Sequence, residues 1–260
     1  MTPPELFAAV VHRHPSSPLI TSYDDATDER VELSGATLAN WVAKTANLLQ
    51  DEFDIGRGSA VAVGLPVHWQ TAVVLLGAWS CGATVVDTAV EDEGLVSEVD
   101  LVVAAQDRLP ALEADGGTAP IVGLSLHPLG LGMSGYLGPA RDFALEVRAQ
   151  GDVFVPFDRP EPETPGLRAG GVELTQAGLV TAAQDLGRRL GLEEGDRLLV
   201  DDATAEAAGP VAWLLAPLAA GASIVLCRHP RADRLPERAA DERITKTVGV
   251  DVPGVPRAGT

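Results

Sequence analysis

The chain has 260 residues, of which 46% are hydrophobic and 4% aromatic, and its formal net charge is −18 at pH 7. This composition excludes a disordered chain and a small disulfide scaffold, and it predicts one large or two small globular units that fold through their own cores. The strong negative charge disfavours nucleic acid and membrane surfaces as partners, because both carry the same sign.

The N-terminal residues, the cysteines and the longest uncharged run together predict a cytoplasmic protein. The first residues, MTPPELFAAV, lack the basic start and apolar core of a secretory signal. Cys81 and Cys227 lie in apolar runs without metal-ligand spacing, which indicates buried free thiols. The uncharged run from Ala207 to Cys227 approaches the length of a membrane span. Its glycines, prolines and β-branched end instead predict a helix, a glycine stop and a buried strand.

An internal repeat organises the chain. VELSGATL begins at Val31 and VELTQAGL begins at Val172, and both patterns predict a strand end followed by a helix. Ser34 and Thr175 stand where a hydroxyl caps the first free amides of that helix. Each predicted helix has one apolar face and leads through a glycine turn to a short buried strand.

A further pair of matching segments follows these strands. LLGAWSCGATVV begins at Leu75 and LLAPLAAGASIV begins at Leu214, and in both a helix ends at a glycine, Gly82 or Gly221, before the next strand. Helices that alternate with buried strands predict right-handed βαβ crossovers. The predicted fold class is therefore α/β, with two related βαβ subdomains whose mostly parallel sheets are covered by helices.

The repeat predicts a first subdomain at residues 1–158 and a second at residues 172–250. Between them, residues 159–171 are rich in proline and glycine, which excludes regular structure and predicts a connector or a binding loop. Further strands are expected at 101–104, after the acidic loop Glu91–Glu98, and at 153–155. The alternating charges of 234–246 are typical of a solvated helix, and residues 251–260 are expected to form a flexible tail.

Several segments resemble, in the right order, the N-terminal domain of the adenylate-forming superfamily of acyl-CoA synthetases and peptide-synthetase adenylation domains. These segments are 15–19, 33–38, 54–63, 75–87, 172–179, 191–230 and 242–250. The resemblance implies the fold of that domain, and ATP with Mg²⁺ or CoA as cofactors if the family's function is retained. It also implies a truncated member, because the family's adenine-binding and ribose-binding motifs and its mobile C-terminal domain lie beyond the last matching segment.

The resemblance places the family's phosphate loop, a hydroxyl-rich and glycine-rich segment that ends in Pro-Lys-Gly, just before the second VEL segment. Gly171 matches its last glycine, and Gly170 stands in the place of the lysine. Glu161 and Glu163 would repel a polyphosphate, and Arg168 offers one compensating cation. Arg168, Gly170 and Gly171 are thus the remaining candidates for cofactor binding, in a degenerate phosphate loop.

Three acidic residues are the candidates for substrate binding. Asp201 and Asp202 follow a predicted parallel strand, where open α/β sheets bind ligands, although a solvated acidic turn is the alternative. Glu206 stands where the resemblance implies the family's histidine, so no catalytic residue is carried over.

No other catalytic site and no metal site is predicted. The five histidines form neither HxxxH nor HExxH, and Ser134 lacks the GxSxG spacing of a hydrolase nucleophile. The glycines between 130 and 138 resemble a phosphate loop in composition, but the alternative is a flexible turn.

Three functions stay open. The first is a degenerate relative that keeps the fold and a ligand pocket without forming acyl-adenylates. The second is an active ligase that a partner chain completes, and the third is a non-catalytic interaction module. Because the family's sheets pack against segments beyond the resemblance, we expect a homodimer or a partner protein to cover an exposed apolar face.

Overall fold

A computed structural model describes residues 1–87 and 99–259, and within them helices cover two mostly parallel sheets. The acidic loop predicted at Glu91–Glu98 lies outside the described residues. The strands are β1 (Pro18–Asp24), β2 (Glu29–Ser34), β3 (Ala60–Gly64), β4 (Thr84–Asp87), β5 (Leu101–Ala105), β6 (Ile121–Leu124), β7 (Arg141–Asp142), β8 (Pro165–Ala169), β9 (Val172–Thr175), β10 (Arg197–Asp201), β11 (Ser223–Arg228) and β12 (Lys246–Val248).

The described helices are α1 (Pro3–Arg13), α2 (Gly35–Phe53), α3 (Trp69–Ser80), α4 (Leu109–Ala114), α5 (Phe143–Arg148), α6 (Gln176–Arg189), α7 (Asp202–Pro210), α8 (Ala216–Ala220) and α9 (Leu235–Asp241). A 3₁₀ turn at Gln106–Arg108 precedes α4, and a π-helical segment at Val211–Leu215 joins α7 to α8. Among the described helices, none is long and apolar enough to cross a membrane.

The two sheets have the same plan. The five-stranded sheet has the order β12-β10-β11-β1-β2, and the seven-stranded sheet has the order β7-β6-β5-β3-β4-β8-β9. Each sheet is parallel except at one hairpin, β1–β2 in the first and β8–β9 in the second. The predicted α/β class with two mostly parallel sheets is therefore confirmed.

The two copies of the repeat exchange their hairpins. In both, a VEL strand leads to a helix whose cap accepts a backbone N–H: Ser34 Oγ from Thr37 at 3.2 Å, and Thr175 Oγ1 from Gly178 at 3.0 Å. The hairpin β1–β2 nevertheless pairs with β11, and β8 pairs with β4. Each sheet thus contains strands from both sides of residues 159–171. The boundaries at 1–158 and 172–250 stay a prediction about the repeat units.

The main core lies between the sheets. Helix α3 contacts both β4 and β1 and buries eleven of its twelve residues, so it separates the two sheets. Smaller apolar clusters cover the outer faces, with α9 on the five-stranded sheet and α4 on the seven-stranded sheet. As predicted for the run from Ala207 to Cys227, its last part is a helix, a stop at Gly221 with φ of 77°, and the buried strand β11.

The prediction of no regular structure at 159–171 is wrong, because residues 165–169 form β8. Glycine at position 166 serves packing there: a Cβ atom on Gly166 would lie 2.7 Å from Leu179 Cδ1 of α6. The indole Nε1 of Trp79 also donates to the Gly166 carbonyl at 2.7 Å. Close approach of a helix, and not loop freedom, explains this glycine.

The strand predicted at 153–155 is also wrong. This segment lies along α2, where Asn47 Nδ2 donates to the carbonyls of Gly151 and Val153 at 2.8 and 3.0 Å. Gln50 Nε2 donates to the Val155 carbonyl at 3.3 Å, and Gln50 Oε1 accepts the Phe157 N–H at 2.9 Å. Side chains of a helix, instead of a neighbouring strand, satisfy this backbone.

The C-terminal region packs more closely than its charge pattern indicates. Helix α9 occupies part of the predicted helix at 234–246, and it buries Arg238, whose guanidinium pairs with Asp25 at 2.5 Å. In the expected tail 251–260, Val252 is buried and the Gly259 N–H donates to the Leu190 carbonyl at 3.0 Å. These contacts are described for residues up to 259, and the flexibility of the tail stays a prediction.

Candidate functional site

A cleft of about 1120 Å³ opens between the two sheets, at the carboxyl ends of their parallel strands. Asp24 and Arg228 end β1 and β11 on one side, and Gly64, Asp87 and Ala169 end β3, β4 and β8 on the other. In open α/β sheets, ligands bind in crevices outside the carboxyl ends of the strands. The architecture therefore places a candidate ligand site here.

The cleft has an apolar interior and an acidic lining. Its apolar side chains come mainly from β3, α3, β4 and the π-helical segment: Val63, Leu65, Val67, Leu75, Val85, Leu124, Leu126 and Trp213. Its charged side chains are five carboxylates and two guanidiniums: Asp24, Glu29, Asp87, Asp107, Glu206, Arg108 and Arg228. Because carboxylates outnumber guanidiniums, the described lining repels a polyanion and accepts a ligand with an apolar body.

Asp87 and Gly209 face each other across the cleft wall. A Cβ atom on Gly209 would lie 3.9 Å from Asp87 Oδ2. Gly209 has φ of 74° and ψ of 175°, a conformation that is essentially restricted to glycine. Although Asp87 is exposed by surface area, desolvation within the concave wall raises the pKa of its carboxyl. Asp87 was not among the residues that the sequence indicated.

The position of the expected phosphate loop holds a two-residue hairpin turn. Ala169 pairs with Val172 across β8 and β9, and Gly170 and Gly171 between them have φ of 52° and 78°. Positive φ at both central residues is the geometry of the tight hairpin turns that glycine pairs favour. The binding loop expected within residues 159–171 is corrected accordingly: residues 165–169 form a strand, and the two-residue turn is too short to wrap a phosphate chain.

Arg168, which lies on this hairpin, and both lysines of the chain form ion pairs with other residues. Arg168 lies on the other face of the hairpin, outside the cleft lining, with its guanidinium 3.6 Å from the carboxylate of Glu173. The lysines of the chain, Lys44 and Lys246, pair with Asp152 at 2.7 Å and Asp196 at 3.1 Å. The residues at this position therefore do not fit a magnesium-bound triphosphate.

Gly170 lines the cleft, whereas Gly171 does not. Glu161 pairs with Arg57, and Glu163 is exposed. The structure thus brings one of the three candidate cofactor-binding residues to the cleft. Cofactor binding by Arg168, Gly170 and Gly171 stays a prediction.

The candidate substrate-binding acids have different positions. Asp201 is buried and caps α7, because Oδ1 accepts the Thr204 N–H at 2.6 Å and Oδ2 accepts the Thr204 hydroxyl at 3.1 Å. Asp202 Oδ2 accepts the N–H of His229 at 2.8 Å. Both carboxylates hold neighbouring backbone, and neither lines the cleft.

Glu206 is the acid of this group that reaches the cleft. It lies on the exposed side of α7, one turn before Gly209, and both residues line the wall. Asp201 caps α7 and so fixes where the helix begins, and this start determines which of its residues face the cleft. Substrate binding by Asp201, Asp202 and Glu206 stays a prediction.

A polar cluster at the ends of β1 and β11 was also not predicted. Asp24 lies 2.9 Å from His229 Nδ1 and 3.4 Å from Arg228 Nη1. Nearby, His68 caps α3 through Nδ1, which accepts the Gln70 N–H at 3.2 Å. Burial, with a smaller effect of Arg228, lowers the pKa of His68 to about 3. His68 is therefore a neutral, packed histidine at neutral pH.

Metal ligands do not converge in the part of the chain that the structure describes. No group of three or more His, Cys, Asp or Glu side chains there is arranged to hold a metal ion. Burial raises the pKa of the Cys81 thiol to about 12 and that of Cys227 to about 11, so both thiols are protonated at neutral pH. Buried free thiols, as predicted, are confirmed.

The fold is that of the N-terminal half of acyl-CoA synthetases. The chain is similar to a Mycobacterium tuberculosis fatty acyl CoA synthetase (TM-score 0.75, 15% identity) and to a Brucella canis acyl-CoA synthetase (TM-score 0.77, 18% identity). It is also similar to the anthranilate CoA ligase AuaEII, solved in complex with anthranoyl-AMP (TM-score 0.73, 16% identity). Each match covers 95% of this chain, and the chain spans 47–49% of those proteins.

A closer relative is known by sequence. No protein-family model matches the chain. It is 41% identical over 258 residues to a TIGR03089 family protein of Mycobacterium tuberculosis strain H37Rv, and the match covers 95% of this chain and 99% of that protein. The chain therefore belongs to the TIGR03089 family.

Proposed function

We propose that this protein binds a small ligand with an apolar body in the cleft between its sheets and does not form acyl-adenylates on its own. The observation that carries this proposal is the pairing of a large cleft with a two-residue turn, Gly170–Gly171, at the phosphate-loop position. The cleft supports ligand binding, and the short turn at the phosphate-loop position supports a loss of triphosphate binding.

The charge of the cleft supports the same proposal. Asp87 and Glu206 line the wall beside the hairpin turn, and Arg108 and Arg228 are the cations of the described lining. Arg228 already lies 3.4 Å from Asp24. A triphosphate would meet more carboxylates than guanidiniums, and no ammonium group would offset the repulsion. A neutral or weakly charged ligand meets no such penalty.

Thermal-shift measurements of Tm test the proposal directly, because a ligand that binds only the native state raises Tm. The panel contains ATP with Mg²⁺, AMP, CoA, acyl-CoA esters and free fatty acids. A true ligand at about 100 times its Kd should raise Tm by roughly 5–10 °C for a chain of this size. We expect no shift with magnesium ATP and no ATP–pyrophosphate exchange with any carboxylic acid.

A matched pair of variants locates the ligand. Ala169 lines the cleft, whereas Val172, its partner across the hairpin, is 59% exposed and outside it. Ala169→Leu narrows the cleft and should weaken a ligand found in the panel at least tenfold, while Val172→Leu should leave its Kd unchanged. Saturable binding of magnesium ATP, or pyrophosphate exchange by the chain alone, would contradict the proposal.

An exposed apolar stripe favours a second role, as an interaction module. Val153, Val155 and Phe157 lie along α2 with 78%, 71% and 78% of their surfaces exposed. Contiguous apolar surface of this kind is typical of contact sites. We propose that a second copy or a partner chain covers this stripe.

Sedimentation velocity tests the stripe. If it joins two copies, Val153→Ser combined with Phe157→Ser should convert a dimer to a monomer. Leu137→Ser is the matched control, because Leu137 is 99% exposed and lies in a different loop. A wild-type chain that sediments as a monomer at high concentration rules out the homodimer. Pyrophosphate exchange restored by a co-purifying chain would instead support a ligase completed by a partner.

A further inference from the structure

Helix α7 forms one wall of the cleft but is held by little apolar burial. Of its residues from Asp202 to Ala208, only Ala205 is buried, with 1% of its surface exposed. Ala203, Glu206, Ala207 and Ala208 are exposed. A helix of two turns is marginal without packing, and a single buried methyl group supplies little of it.

The structure after α7 is quite different. Trp213, Leu214 and Leu215 of the π-helical segment are buried, at 4%, 0% and 0% exposure. Gly209, in its non-helical conformation, interrupts the hydrogen-bonded ladder between α7 and this segment, and Pro210 follows it. The stability of the buried segment therefore does not propagate into α7.

Polar contacts hold the other end of α7. Asp201 caps the first turn, and the carboxylate of Asp202 accepts the N–H of His229 at 2.8 Å. The Asp202–His229 bond lies at an exposed position, so water competes with it. Segments with few buried apolar contacts and exposed polar bonds open at low free energy, while the core around them stays folded.

We propose that α7 is a flap that opens by local unfolding between Asp201, which β10 holds, and Gly209, and that this opening controls access to the cleft, with the Asp202–His229 contact as its latch. Opening removes Ala205 and Glu206 from the wall without disturbing the sheets that form the floor. This inference concerns the regulation of the ligand cleft and rests on the proposed function for its biological meaning. The motion itself can be measured without any ligand.

Thiol labelling reads the motion in the free protein. Ala205→Cys adds one sulfur atom on the buried face of α7, and Cys81 and Cys227, both buried in the core, are reference thiols in the same molecule. With a thiol reagent and peptide mass spectrometry, we expect the introduced thiol to react at least a hundredfold faster than both references. Asp202→Ala should accelerate it about fivefold further, whereas Asp185→Ala, which changes a half-buried acid on α6, should not.

Hydrogen exchange of the unaltered chain is the control for the possibility that Ala205→Cys itself loosens α7. Amides of α7 should exchange at least a hundredfold faster than the central amides of α6, whose helix buries Leu179, Val180 and Ala183. Equal exchange in the two helices, or labelling of the introduced thiol as slow as that of Cys227, overturns the flap. Such a result leaves the ligand panel unaffected, so failure of the flap is distinguishable from failure of the proposed function.

Discussion

The two repeat units, residues 18–87 and 165–228, share a hairpin, a helix, a strand, a helix and a strand, but they differ where they meet the cleft. In the first, β3 leads through residues 65–68 into the buried helix α3. In the second, β10 leads into α7, the break at Gly209 and a π-helical segment. The scaffold is common to both units, and the candidate site is built from the connections that they do not share.

The hairpin turns show the same contrast. The turn after β1 spans residues 25–28, and Asp24, Thr27 and Glu29 around it line the cleft. The turn after β8 has two glycines and contributes Gly170 alone. Turns that face the ligand can differ because the sheets behind them carry the stability, as is general for loops on rigid scaffolds.

The largest predicted effect compares equivalent core positions of the two units. Trp79 and Leu218 occupy the same place in the repeat, and both are fully buried. Trp79 also donates to the Gly166 carbonyl of the other unit's hairpin at 2.7 Å. Trp79→Ala should lower the free energy of unfolding by about 4–5 kcal/mol, and Leu218→Ala by about 3 kcal/mol.

Urea denaturation measures both variants, and Trp79→Phe separates the two contributions. It keeps most of the ring volume and loses the hydrogen bond to the exchanged hairpin, so about 1–2 kcal/mol of the effect should remain. If Trp79→Phe is as stable as the wild type, the bond between the units contributes nothing and only packing distinguishes them.

A second prediction uses the position before α3, where His68 stands and the second unit has the exposed Ala207. Because burial holds the pKa of His68 near 3 against its usual 6.5, the unfolded chain binds more protons between these values. Stability from His68 is therefore fully present above pH 6.5 and is lost as the pH falls. The loss is at most about 1.4 kcal/mol for each pH unit.

Urea titrations at pH 7 and pH 4.5 test this effect. His68→Asn keeps a cap for α3 and cannot titrate, so its stability should fall by roughly 2–3 kcal/mol less than that of the wild type over this range. His12→Asn is the control, since His12 is exposed. Parallel pH profiles of the wild type and His68→Asn would show that His68 accepts its proton without unfolding.

The features that the sequence predicted correctly are local ones. The caps at Ser34 and Thr175 and the stops at Gly82 and Gly221 depend on a few neighbouring residues, and the repeat shows each of them twice. Capping hydrogen bonds and left-handed glycine conformations are determined by residues that are neighbours in the sequence. The layered α/β fold follows from them, because helices and buried strands alternate.

The cleft could not be predicted in this way, since its residues come from distant parts of the chain. Asp24 meets Arg228 because the exchanged hairpin places β1 beside β11, and Asp87 and Gly209, which meet across the wall, come from different repeat units. The proline and glycine content of residues 165–169 predicted a loop, but this segment is a strand in which Gly166 permits α6 to pack closely. Alternating helices and strands predict pairing within each βαβ unit, but they do not predict that β1 pairs with β11 and β4 with β8 across the two units.

The smallest predicted effect tests whether equivalent helix caps in the two repeat units contribute equally to the free energy of unfolding. Ser34→Ala and Thr175→Ala each remove one cap bond, from Thr37 and from Gly178, and each should lower the free energy of unfolding by about 1 kcal/mol. Ser34→Asp and Thr175→Asp keep an oxygen acceptor and should recover most of that loss. Urea denaturation measures the free energy of unfolding of the four variants.

Equal losses at Ser34 and Thr175 indicate that both units keep the same helix start. A loss at Ser34 without one at Thr175 would mean that packing, chiefly against α8 and the π-helical segment, holds α6 without its cap. The second unit would then keep the shape of the first without its local stability.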